Sequence, residues 1–159
     1  MAIKISQGLR DAMLVTGSFK ATMDGGYLHI FGGTPPTSPN DDVNANATLL
    51  ATIYSDGGTA NAGLNFAAAT SGPGIVPKAS GETWDNSEDG NIASGTATFY
   101  VFTADGEANG ASLGASTSAA RFMGSVAQAA ADLNLTDPAL SAGVPLTINS
   151  FAVALPENC

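Results

Sequence analysis

Over most of the chain, large apolar residues alternate with polar or small ones in short runs, the period of strands rather than helices. GYLHIFG (26–32) puts Tyr27, His29 and Phe31 on one face and Leu28 and Ile30 on the other. ATLLATIYS (47–55) reads as a second strand, closed by Asp56-Gly57-Gly58, and GLNFAAAT (63–70) as a third. Between Pro73 and Ser80 only a short edge strand fits, because Pro77 removes a ladder donor. GTATFYVFTA (95–104) is the strongest strand. Its Phe99 and Val101 oppose Tyr100 and Phe102, so both faces are apolar and the strand belongs in the middle of a sheet. AARFMGSVA (119–127) and ADLNL (131–135) follow, although AQAAADL equally suits a helical turn, since alanine favours helix. In the closing VPLTINSFAVALP (144–156), Leu146 and Ile148 face one way and Phe151, Val153 and Leu155 the other. A bulge near Asn149 and Ser150 restores a single buried face.

The first 25 residues break this pattern. Ser6 is placed to cap a short helix with Leu9, Ala12 and Met13 on one side, ended by Gly17. Ser18 caps a second turn, Phe19 to Met23, closed by Gly25 and Gly26. Residues 1–25 therefore form a helical segment, either a lid over the sheet or an arm on a neighbouring subunit. Residues 26–159 form the β domain. The fold class is all-β: a single β-sandwich or jelly-roll-like domain of about seven to eight strands. Three loops separate the strands: TPPTSPNDDVNAN (34–46), the acidic ETWDNSEDGN (82–91), and the low-complexity DGEANGASLGASTS (105–118).

Composition sharpens this picture. Ala, Gly, Ser and Thr supply 76 of the 159 residues, so a thin core between close layers is expected, with the seven Phe residues providing much of it. The five Lys and Arg residues are scattered and the net charge is -9. That argues against nucleic acid, whose phosphates need cations, and against an anionic membrane. One cysteine, Cys159, allows no intramolecular disulfide. The start of the chain lacks the apolar run of a signal peptide, and no stretch approaches the length of a membrane span, which predicts synthesis in a cytosol.

Candidate chemistry is sparse. Gly110-Ala111-Ser112-Leu113-Gly114 matches the nucleophile-elbow pattern, but its flanks are loop-like and the one histidine, His29, precedes the serine. Asp85 to Asn91 resembles the start of a calcium loop, yet the twelfth position is Thr96 where a bidentate Glu is needed. Asp41 and Asp42 form a glycosidase-type carboxylate pair only if their loop meets Asp85, Glu88 or Asp89. His29 has no second histidine or cysteine pair to make a zinc site. These residues predict no catalytic group, no metal and no cofactor. Trp84, in the acidic loop, either anchors that loop or docks on a partner or a sugar.

The runs GSFKATMDGGYLHIFGGTPP, ATLLATIYSDGG, GLNFAAAT, ASGTATFYVFTADG and LTINSFAVALP together resemble small virion proteins of tailed bacteriophages. The similarity covers residues 17–156 and lies in segment order and composition. Among such proteins, the acidic, lysine-poor, β-rich chain looks most like a capsid decoration (cement) protein. The resemblance implies a non-enzymatic protein on the exterior of the virion capsid, made in the host bacterial cytoplasm. It implies the major capsid protein as partner and a homo-oligomer, dimer or trimer. A tail, neck or fibre-associated role is the alternative, and a carbohydrate-binding sandwich using Trp84 and a tyrosine is the second. Phe19, Met23, Tyr54 and Trp84 are the expected partner contacts.

Overall fold

The structure, a computed structural model, describes residues 2–56, 62–68, 74–107 and 110–154. The chain opens with β1 (Lys4–Ile5), α1 (Gln7–Val15) and α2 (Phe19–Met23). Then come β2 (Tyr27–Gly33), β3 (Ala47–Ser55), β4 (Ile75–Pro77), β5 (Trp84–Asp85), β6 (Gly95–Thr96) and β7 (Phe99–Thr103). A 3-10 turn at Gly110–Ser112 precedes β8 (Arg121–Ala127), β9 (Leu133–Asn134), β10 (Ala139–Leu140), β11 (Thr147–Ile148) and β12 (Ala152–Ala154). The domain is all-β, as the alternation predicts.

The main sheet runs β1-β8-β7-β2-β3-β5-β11, with β9 alongside β8. All its pairings are antiparallel except β8 with β9. Two small ladders, β10 with β6 and β12 with β4, complete the strands. The sandwich-like second layer is assembled from the β4–β12 ladder, the two helices and the segment around Leu64 and Phe66, all packed on one face of the sheet.

Strand alternation sorts the side chains. Leu28, Ile30, Tyr100, Phe102 and Phe122 point into the larger core with Phe19, Phe66, Trp84 and Phe151. Phe31, Phe99, Val101 and Met123 point the other way and are covered by Val43 and Leu113, from the 34–46 loop and the 105–118 connector. Backbone bonds from Val43 N–H to the Leu113 carbonyl and from Ser116 N–H to the Asn40 carbonyl join these two segments. A bulge between Ile30 and Phe31 leaves Leu50 as the extra residue on β3. Leu50 and Ala51 thereby both reach the larger core.

The N-terminal segment is a lid. Ser6 Oγ accepts from Leu9 N–H and donates to the Ala119 carbonyl, so one side chain caps α1 and ties it to the start of β8. Ser18 caps α2 in the same way through Ala21 N–H. Leu9, Phe19 and Met23 are part of the larger core. Close approach needs small residues: a Cβ at Gly8 would lie 2.2 Å from the Ser118 carbonyl oxygen.

Several expectations change: GTATFYVFTA divides into β6, paired with β10, and β7 in the main sheet, and the 82–91 loop holds β5. Residues 63–68 of GLNFAAAT form no strand, since Leu64 and Phe66 make only isolated bridges, to Gly26 and Lys78; Ala69 and Thr70 lie outside the described residues. The closing run is not one bulged strand. It splits at 149–151, with β11 joining β5 and β12 joining β4. Changing partner, rather than a bulge, lets Ile148, Phe151 and Val153 all be buried despite their opposite parity. Leu155 lies outside the described residues.

Candidate interaction site

Three of the four expected contact residues point inward. Phe19 packs against Phe66 and Phe122 with ring centroids 5.5 and 5.4 Å away, and Met23 is fully buried. Trp84 lies in β5 with its ring against Phe66, Phe102 and Phe151, and Lys78 Nζ sits 5.8 Å from its centroid. Its indole N–H donates to Glu82 Oε2 at 2.9 Å, and the same carboxylate accepts from Asn65 N–H. Phe19, Met23 and Trp84 are therefore corrected from partner contacts to core residues. A Trp84 sugar platform is not presented, because the indole is fully buried. Tyr54 is half-buried, edge-on to Tyr27 at 5.8 Å. Burial, the nearby Asp89 carboxylate and Tyr27 raise its pKa, against a hydrogen bond with Thr52 that lowers it.

The groups that suggested chemistry are engaged elsewhere. His29 is buried, with Nδ1 3.1 Å from Thr52 Oγ1 and Nε2 3.2 Å from Thr103 Oγ1. Burial pushes its pKa down from 6.5 to about 3. The ring is neutral at ordinary pH and both nitrogens are occupied, so it offers Ser112 no base. Ser112 itself is exposed on the 3-10 turn. In the acidic loop, Asn86 Nδ2 donates to Asn91 Oδ1, and Asn86 Oδ1 accepts from Leu146 N–H. Amides, rather than carboxylates, hold that turn. Asp41 and Asp42 accept from Ser38 and Asn44 N–H within their own loop. Among the described residues, no three His, Cys, Asp or Glu side chains converge on one point.

Four of the five basic residues are also engaged. Lys4 donates to the Thr37 carbonyl, Lys20 pairs with Asp24, and Lys78 donates to the Glu82 carbonyl. Arg121 is buried, and Nη2 donates to the Gly114 carbonyl while Nε and Nη1 have no partner. Burial lowers its pKa, opposed by the Glu107 and Asp42 carboxylates.

The surface also presents a few large apolar side chains. Leu14 and Val15, at the end of α1, are 84% and 87% exposed. Ile92 and Val144 are 58% and 52% exposed on adjoining loops. Bonds from Asn91 N–H to the Val144 carbonyl and from Gly143 N–H to the Asn91 carbonyl tie those loops together. Beside Val144 lies a groove of about 490 Å³ between residues 134–141 and 144–150. Sequence reasoning missed this place. Its signal was single large apolar residues inside Gly-, Ala- and Ser-rich loops, in NIASG and SAGVPL. No family model, curated protein or solved structure matches the chain.

Proposed function

We propose that the chain is a structural binding protein of a tailed-phage virion, decorating the outer surface of the assembled capsid and bridging the major capsid protein between capsomers. The observation that carries the reading is a contrast. The one histidine is neutral and doubly hydrogen-bonded, while Leu14, Val15, Ile92 and Val144 stand in solvent. Such a molecule is suited to contact rather than turnover. The resemblance of residues 17–156 to phage virion proteins supplies the particle, and the net charge of -9 suits a surface away from packaged DNA. Many copies on one lattice make a modest contact per copy sufficient, because binding to the assembled shell stabilises that state by mass action.

Co-sedimentation tests this. Purified protein should pellet with expanded capsids and stay in solution with unassembled shell subunits. Capsids stripped of it should burst at lower temperature. Equal binding to both forms, or stripped capsids as robust as decorated ones, would overturn the proposal.

A further inference from the structure

We propose that the open edge of β11, with the groove beside it, takes up an extended segment of another protein that carries apolar side chains together with lysine or arginine. This goes beyond the capsid reading: it needs the protein to be a binder, but not the shell to be its target.

Backbone direction is the first argument. β11 ends the main sheet, paired on one side with β5. Leu146 directs its N–H to Asn86 Oδ1 and its carbonyl to Asn86 N–H, both on the β5 side. Successive residues of a strand turn their backbone groups to opposite edges, so the N–H and C=O of Thr147 point away from β5. Thr147 is exposed, so these are accessible groups of the kind that accept an added strand.

The groove provides side-chain pockets next to that edge. Buried Leu135, Leu140 and Ile148 line it, together with exposed Val144. An added strand sends alternate side chains to opposite faces, so every second one would enter the groove.

Charge selects the occupant. Among the described residues, Asp137 is the only charged one lining the groove. The adjoining turn carries exposed Glu88 and Asp89, and its Gly90 packs so closely on Gly143 that a Cβ there would lie 2.6 Å from the Gly143 carbonyl oxygen. A second copy of this chain would bring a net charge of -9 against the same acidic rim, and four of its five basic residues are already engaged. A basic, apolar segment of a different chain is complementary.

The probe is a labelled, end-blocked peptide of about eight residues alternating valine and lysine, read by fluorescence anisotropy. Saturable binding is expected, weakened several-fold when salt rises from about 0.05 to about 0.5 M. N-methylating alternate backbone amides on one edge of the peptide should weaken it by about tenfold or more. Asp137→Lys and Val144→Ser, both at exposed positions, should each weaken it several-fold. The same peptide with glutamate for lysine should not bind. No saturable binding, or binding indifferent to N-methylation on either edge and to both substitutions, would overturn the proposal. Capsid co-sedimentation without peptide binding sinks only this edge, whereas peptide binding without co-sedimentation sinks only the capsid reading.

Discussion

One face of the main sheet is packed by a single network of aromatic rings, whereas the other is apolar over one half and polar over the rest. On the first, Phe122 touches Phe19, Tyr100, Phe102 and Phe151, and Phe66 touches Phe19, Trp84, Phe102 and Phe151. On the second, Phe31 stacks on Phe99 at 5.2 Å under Val43 and Leu113, but His29, Thr52, Thr103 and Arg121 are buried beside them. A chain rich in small residues gathers its large rings on one face and makes that face the anchor. The other face holds its buried polar groups through hydrogen bonds, His29 to Thr52 and Thr103 and Arg121 to the Gly114 carbonyl.

Breaking the ring network should have the largest effect. Phe122→Ala removes one ring from four contacts and should cost about 3–5 kcal/mol, read as a fall in the urea midpoint. A loss below about 1 kcal/mol would mean the rings are not one interlocked unit.

The polar face should reveal itself through pH. Because the folded chain holds His29 near 3 against an ordinary 6.5, the unfolded state binds a proton in that interval that the folded state does not. Stability from neutral His29 is therefore complete above about 6.5 and is lost as pH falls toward 3. Between about pH 7 and pH 5 this amounts to about 2 kcal/mol. Urea titrations of the parent and of His29→Gln should differ in slope over that range. Parallel curves would show that His29 is free to charge.

A smaller effect is expected at Arg121. Its Nε and Nη1 lack partners, so Arg121→Met exchanges a poorly satisfied charge for apolar packing. The change should stay within about 1 kcal/mol, or stabilise. A loss as large as that of Phe122→Ala would reveal a needed ion pair across the connector. Leu14→Ser should move stability least, by under about 0.5 kcal/mol, since the side chain already stands in water.

Much of this framework was legible in the sequence. β3 spans the predicted run, Ser6 and Ser18 cap the predicted helices, and the four-residue apolar block of β7 lies between β8 and β2. Period and cap chemistry are local, and these elements follow them. Of the two courses the sequence leaves open for Trp84, the structure shows the anchoring one. Glu82, two residues away, in fact accepts the indole N–H and lets the ring turn inward. The division of the last run between two partners depends on where β4 and β5 lie, which no local pattern records. No local pattern marks Ile92 and Val144 as exposed, because that follows from how their loops pack on the rest of the chain.

The central claim, a capsid decoration protein, is tested most directly by its copy number in purified particles. Gel densitometry against the major shell protein should give a number of copies comparable to that of the shell subunits, located on the head. A handful of copies per particle, or a ring stoichiometry fractionating with tails, would contradict it.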